Sequence, residues 1–270
     1  MTEPDTTSRT VLAGSAYRSG EHLVARQSLY SWQEPRYDMP GMVVDLLPET
    51  PGLVVDVGCG NGKFLARIRE QRPDFIALGL DISAGILADV QSPAVVADAA
   101  ALPVASGSAR AVLAMHMLYH VDDLGRVLAE VVRVMAPGGV FVVSTNGRDD
   151  KAELDELWAA AAAKVLGVAE GPRRISLSSR FTLDDAPALL EPYFADVDVH
   201  ELPGAITVME PEPVIAHLAS YRTWAESAGV PFDPTLDRAR VLLTSMIDRD
   251  GKFTITGRGG MLVCRRPTPA

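Results

Sequence analysis

The sequence predicts an α/β protein, with a mostly parallel sheet covered by helices on both faces and a helical lid over one end. Three observations carry that prediction. Apolar runs and amphipathic stretches alternate from about residue 53 to 145. Runs such as "LVVDV" and "ARAVLAM" are near-continuously apolar, as strands covered on both faces must be. A glycine-rich loop directly follows the first of them.

The whole chain sets the bounds. Its 270 residues allow one principal domain with a small added lobe. With 47% hydrophobic and 22% charged residues the composition is that of an ordinary globular protein. No apolar run approaches the ~20 residues that span a bilayer, and "MTEPDTTSRT" lacks a basic-then-apolar signal. A cytoplasmic protein without membrane partners is expected. Two cysteines, Cys59 and Cys264, form neither a disulfide framework nor a metal-ligand spacing, so reduced thiols and no metal are expected. A net charge of −10 argues against nucleic acid as a partner. The one local basic patch, "GPRRISLSSR" at 171–180, fits a solvated loop. A monomer or homodimer is expected.

Taken in order, residues 1–20 are rich in Thr, Ser, Gly and charge without periodicity, which predicts a flexible arm. Leu23, Val24, Leu29 and Trp32 then suggest a helix, "PRYD" interrupts it, and a second helix follows at about 40–47, so that 21–47 form an N-terminal helical lid. After Pro51-Gly52 the pattern predicts strand 53–57, helix 62–71, strand 75–80, helix 83–90, strand 94–98, strand 110–116, helix 122–135 and strand 139–145. The helix carrying Leu124, Val127, Leu128, Val131 and Met135 is stopped by Pro137-Gly138-Gly139. Beyond residue 150 come an alanine-rich helix at 152–165, a polar loop, a helix at 183–191 and the strand-like "ADVDVHEL". A helical insertion at about 205–250, its helices at 211–249, precedes the alternating "FTITGRGGMLVCRR". The main domain is thus 48–270, and the insertion joins the N-terminal lid.

Ligands of open parallel sheets bind outside the carboxyl ends of the strands. "VVDVGCGNGKF" places Gly58, Gly60 and Gly62 at such an end, with Asp56 two residues before. A dinucleotide fingerprint would need glycine where Lys63 stands. Asp81 ends the second strand, placed to accept ribose hydroxyls, a feature a dinucleotide site also uses. Asp98 ends the third, placed to accept an adenine amino group. Each alone fits an ordinary turn or a helix cap. Their conjunction at three successive strand ends points to one adenosine-containing ligand.

In order and spacing, "VVDVGCGNGKF", "GLDIS", "ADAAALP" and "RVMAPGGVFVVST" closely resemble the successive motifs of class I S-adenosylmethionine-dependent methyltransferases, over roughly residues 50–146. "LPVASGSARAVLAMHMLYHVDD" resembles the small-molecule subgroup typified by the ubiquinone and menaquinone biosynthesis enzymes. The resemblance implies a Rossmann-like, seven-stranded, mostly parallel sheet with an antiparallel last strand, the segments 193–202 and 253–265 forming the reversed hairpin. It implies S-adenosyl-L-methionine as cofactor. Gly58, Gly60 and Gly62 would lie under its methionine part, Asp56 would help hold the ammonium, directly or through the loop, and Cys59 would pack beside it. Asp81 would bind the ribose with Ile82 against the adenine, Asp98 and the Ala99 backbone would take the adenine edge, and His116 would flank the methionine portion.

A sulfonium is already an activated methyl donor, so orientation of the acceptor is the chief requirement, supplying on the order of 7 kcal/mol in favourable cases. An acceptor hydroxyl or acidic carbon benefits from a base. His120 is the candidate catalytic base, with packing or helix capping as its alternative role; Tyr119 is placed to orient the acceptor. No [DN]-P-P-[YF] follows the fourth strand, which leaves a small-molecule acceptor, methylated at O, N or C, as the leading expectation. Ribosomal RNA or protein as acceptor, with 171–180 as docking loop, and a non-catalytic cofactor-binding protein are the alternatives. Tyr30, Trp32, Tyr37, Phe181, Met209, Tyr221 and Trp224 are expected to line an apolar acceptor cavity or to form the core of the lid.

Overall fold

The computed structural model describes residues 6–16, 21–225 and 229–267. Its strands are β1 (Gln33–Glu34), β2 (Leu53–Val57), β3 (Ile76–Asp81), β4 (Ala94–Val96), β5 (Ala109–Met115), β6 (Met135–Asn146), β7 (Phe194–Val208) and β8 (Phe253–Pro267). The helices are α1 (Arg9–Val11), α2 (Glu21–Ser28), α3 (Met39–Leu46), α4 (Lys63–Gln71), α5 (Ala84–Leu87), α6 (Leu124–Val134), α7 (Ala152–Leu166), α8 (Ala186–Leu190), α9 (Glu212–Ala219), α10 (Arg222–Ala225) and α11 (Phe232–Asp250). None of the described helices is long and apolar enough to cross a membrane.

The strands form one sheet in the order β1-β7-β8-β6-β5-β2-β3-β4. Strands β4, β3, β2, β5 and β6 run parallel to their neighbours, and β8, β7 and β1 are added antiparallel. The chain steps outward from β2 to β3 and β4, then returns to the other side of β2 with β5. That reversal opens a crevice at the carboxyl ends of β2 and β5, where open α/β sheets bind ligands.

Period-two alternation builds the core on both faces. Val55, Val57, Val112, Ala114, Phe141 and Val143 pack with Val127, Leu128 and Val131 of α6. Their neighbours Val54, Ala111, Leu113, Val140 and Val142 pack with Phe64, Leu65 and Ile68 of α4. A third cluster joins α7, α9 and α11 to the far ends of β7 and β8 through Leu154, Trp158, Ile206, Leu218, Leu243 and Ile255.

Four expectations need correction. The sheet has eight strands rather than seven, because Gln33 and Glu34 pair with Ile206 and Ala205; two residues between Trp32 and Pro35 carry no periodic signal. Strand β7 does not stop near 202 but continues to Val208, paired with Phe253, so the insertion begins after Val208 rather than near 205. Pro203-Gly204 suggests a break, yet β1 covers the outer side of β7 only at 205–206. Pro203 therefore sits on an edge, where a missing N–H is tolerated. Strand β6 starts at Met135, opposite Ala109, ahead of the Pro-Gly-Gly stop. The described part of the N-terminal arm is folded: α1 passes into a π-helical turn over Leu12–Ala16, Thr6 and Thr7 are buried, and Leu12 is 6% exposed within the core. The rest of that arm, residues 1–5 and 17–20, lies outside the described residues.

If the arm is part of the core, Leu12→Ala lowers unfolding free energy in urea by about 2 kcal/mol, the low end for a large-to-small change in a buried site. No change in the unfolding midpoint would restore the flexible arm.

Candidate active site

The glycine loop is bound to the strand beside it. Gly58 N and Cys59 N both donate to the Leu80 carbonyl at 2.7 and 3.0 Å, and Gly60 N donates to Asp81 Oδ2 at 3.0 Å. Gly58 and Gly60 hold φ of 67° and 54°, a region that side chains disfavour. A Cβ on Gly58 would lie 2.8 Å from Met117, and one on Gly60 would lie 3.1 Å from Leu23 of α2. The loop is thus packed from both sides.

Beyond it lies a cavity of about 570 Å³, within the range of small-molecule sites. Asp56, Gly58, Cys59, Gly60, Asp81, Ile82, Asp98, Ala99, His116 and His120 all line it. Gly62 is not on this wall: it precedes α4 in the left-handed conformation, and a Cβ there would meet Val90 at 2.9 Å. Its glycine serves the turn into α4.

Asp56 is fully buried on this wall, and neither carboxylate oxygen has a hydrogen-bond partner. Burial, then the charge of Asp81, pushes its carboxyl up to about 8, against the opposing pull of Lys63. An orphaned buried carboxyl is costly unless a ligand meets it. Asp81 also ties the loop: besides Gly60 it accepts from Ser83 N at 2.9 Å. Burial raises its pKa, and these backbone donors oppose the rise. A carboxylate has about four acceptor positions, so capacity remains toward the cavity. Asp98 accepts from Ala100 N at 2.9 Å, a local turn that aims its strand end. Cys59 is buried, and burial, Asp56 and Asp81 push its thiol up, which keeps it protonated.

His116 stands at the end of β5 with φ of 56°, a conformation rare outside glycine and concentrated at functional sites. Its N–H donates to both the carbonyl and the hydroxyl of Ser144, at 3.1 Å each. Burial, then the charges of Lys63 and Lys151, lower its imidazole to about 3. His120 Nδ1 lies 3.0 Å from the Thr6 carbonyl. A carbonyl only accepts, so Nδ1 carries the proton and Nε2 the lone pair. The ring meets Tyr119 edge-on at 4.6 Å and stacks on Trp224 at 6.2 Å. Burial lowers its pKa to about 4, so it is neutral at pH 7.

The remaining wall differs from the expected apolar cavity. Tyr30, Tyr37 and Tyr221 line it, but Phe181 and Trp224 are core residues, and Trp32 and Met209 are exposed. Charge replaces them. Lys151, 3% exposed, places Nζ 2.5 Å from Asp150 Oδ2 and 2.8 Å from the Tyr30 hydroxyl. Burial alone would lower its pKa, and the Asp150 and Tyr30 contacts reverse that, so it is raised. Arg174 Nε contacts Asp155 Oδ1 at 3.0 Å. His217, also on the wall, is 2% exposed. Nothing in the periodicity of "RDDK" or "GPRR" separates these inward charges from solvated ones.

Residues 55–143 match the family model described as a methyltransferase domain. The chain is 33% identical over 134 residues to malonyl-[acyl-carrier protein] O-methyltransferase 1 of Coxiella burnetii, covering 46% of this chain and 48% of that one. The match thus spans about half the length of that relative. It is 28% identical over 221 residues to an uncharacterized methyltransferase of Mycobacterium tuberculosis, covering 80% and 83%. In fold it is similar to an Anabaena variabilis protein described as a methyltransferase from an antibiotic biosynthesis pathway. That likeness has a TM-score of 0.58 at 16% identity, over 84% of this chain and 96% of that one. The strand order and the glycine loop at the sheet's reversal agree with these likenesses: residues 55–143 carry a methyltransferase domain, and the fold is that of the solved structure.

Proposed function

We propose that the protein transfers a methyl group from S-adenosylmethionine to an O, N or C atom of a small-molecule acceptor. The observation that carries this reading is Asp56, a buried carboxyl without a protein partner on the wall beside the glycine loop. A ligand ammonium is the group that would satisfy it. When bound, S-adenosylmethionine supplies a sulfonium methyl open to in-line displacement.

The roles of the chain's own residues follow from their positions. Asp56 pairs with the ammonium, and the loop of Gly58 and Gly60 admits the methionine part closely. Gly62 acts behind the loop, by turning the chain into α4. Asp81 holds the loop and accepts from the ribose, while Ile82 covers one adenine face. Asp98 and the Ala99 backbone take the adenine edge. His116, whose neutral ring is held by the strained end of β5, flanks the methionine portion, and Cys59 packs beside it. His120 offers Nε2 to an acceptor O–H or N–H, orienting it. With so low a pKa it is a weak base, and it suits an acceptor that needs little deprotonation.

A cavity of about 570 Å³ favours a small acceptor. A relative named for the methylation of a malonyl group on a carrier protein supports the same class. The alternative, a macromolecule docked on 171–180, has less support. Arg174 in that segment is turned to the cavity, and Arg180 is bonded to the Asp122 carbonyl at 3.1 Å.

If Asp56 meets the ammonium, ionisation of its carboxyl accompanies binding. S-adenosylhomocysteine, which keeps that ammonium, then binds more tightly as pH rises from 6 toward 8. Calorimetry in buffers of different ionisation enthalpy detects up to about one proton released at pH 7. Asp56→Asn abolishes the release and weakens binding by roughly tenfold or more; an unaltered proton count in that variant sinks the assignment. Asp81→Ala, which removes both the loop tie and the ribose acceptor, lowers the same affinity by about 100-fold, a loss of about 3 kcal/mol for charge-assisted bonds.

His120 predicts the acid behaviour. Its folded pKa of about 4 lies below the ordinary imidazole value of 6.5, so between those values the unfolded chain binds more protons than the native one. Its contribution to stability is therefore present above pH 6.5 and is lost as pH falls toward 4. Thermal unfolding of His120→Gln between pH 4 and 7 is expected to show a shallower fall than wild type.

A further inference from the structure

The charged part of the cavity wall, supplied by α2, α7, the 171–180 segment and the turn before α10, has no role in the steps above. It gathers three cations, Arg26, Lys151 and Arg174, and two carboxylates, Asp150 and Asp155. In a chain of net charge −10, such a buried excess of positive charge is not a property of composition. Lys151 is accounted for by Asp150 and Tyr30.

Arg174 differs. Its side chain is 9% exposed and lies on the cavity wall. Its Nε is held by Asp155, and its guanidinium lies over the Tyr221 ring, 4.8 Å from the centroid. Those contacts fix the plane of the group. A guanidinium carries five N–H donors in a rigid fork; the Asp155 bond takes one and the Tyr221 hydroxyl engages another, which leaves donors for a ligand. Nearby Arg26 lies over Trp224, 5.4 Å from the ring centroid, and donates to the Ser220 carbonyl at 3.3 Å. His217, on the same wall, has its pKa held well below 6.5 by burial first and then by the charges of Arg174, Lys151 and Arg26. All three cations therefore converge on one region of the cavity, and the imidazole among them stays neutral. An anion there would gain from the net positive charge of three cations against two carboxylates.

We propose that Arg174 recognises a carboxylate on the methyl acceptor, its planar fork meeting the two oxygens while Asp155 and Tyr221 hold its orientation. This rests on the methyl-transfer reading above. The basic segment 171–180 then contributes a specificity residue rather than a docking surface, and neutral analogues of the acceptor bind poorly because they leave the fork unmatched.

The test uses the full chain saturated with S-adenosylhomocysteine. Acetate, malonate, benzoate and salicylate are titrated by calorimetry, each beside its amide. At least one carboxylate is expected to bind about tenfold or more tightly than its amide. Arg174→Gln should remove that preference, and Arg173→Gln, whose side chain is off this wall, should keep it. Affinity for S-adenosylhomocysteine should stay within about twofold of wild type in both. If Arg174→Gln does not fold, Arg174→Lys decides, since it keeps the charge and loses the fork: a reduced preference for the carboxylate supports the proposal and an unchanged one overturns it. A saturated wild type that binds no carboxylate in preference to its amide overturns it, as does a preference that survives in Arg174→Gln. So does a loss of S-adenosylhomocysteine affinity in Arg174→Gln, which would assign the fork to that ligand's own carboxylate. A wild type that binds no S-adenosylhomocysteine instead defeats the methyl-transfer reading itself.

Discussion

The hydrogen bond from Gly60 N to Asp81 Oδ2, with the paired donations of Gly58 and Cys59 to the Leu80 carbonyl, is the constraint on which the site depends. A loop with three left-handed glycines has many conformations in isolation. Fastened to the end of β3, it has one, and its backbone forms the floor of the cavity. The same carboxylate accepts from Ser83 and so directs the start of α5. Parallel pairing of β2 with β3 makes this possible, because it brings the carboxyl ends of consecutive strands to one level.

Around that floor the protein keeps an electrostatic division. One end gathers carboxylates, with Asp56 lacking any counter-charge bonded to it. The other gathers cations, Lys151 being tightly paired and Arg174 held by one acid. Burial strengthens both fields. The two histidines nearest β5 respond to the same burial by remaining neutral, which leaves them as hydrogen-bonding groups rather than charges.

Much of this was legible from the residues. Near-continuous apolar runs marked β2 and β5, helical spacing marked α6, and the acids at the carboxyl ends of β2, β3 and β4 marked the crevice. These signals are local: each depends on a strand end and the few residues after it. The charged half of the cavity was not legible in the same way. Lys151 and Arg174 reach the wall beside α7, which packs on α11 and on the far ends of β7 and β8, relations between segments distant in sequence. Of the aromatic residues, Phe181 and Trp224 pack in the core, and charged side chains take their place on the wall. The strand continuing through Pro203-Gly204 was hidden by two residues that usually interrupt a ladder and here lie on an uncovered edge.

The single register of β7 on β8, from Phe194 opposite Pro267 to Val208 opposite Phe253, makes the sheet a ruler. One end of this hairpin belongs to the sheet beside β6, and the other carries the helices that help close the cavity. The separation between those ends is therefore counted in residues, at ~3.3 Å each. Removing two residues from each strand would bring the ends closer by roughly 7 Å and keep every side chain on its present face. Removing one from each would turn the faces over, so the reach of the site can change only in even steps.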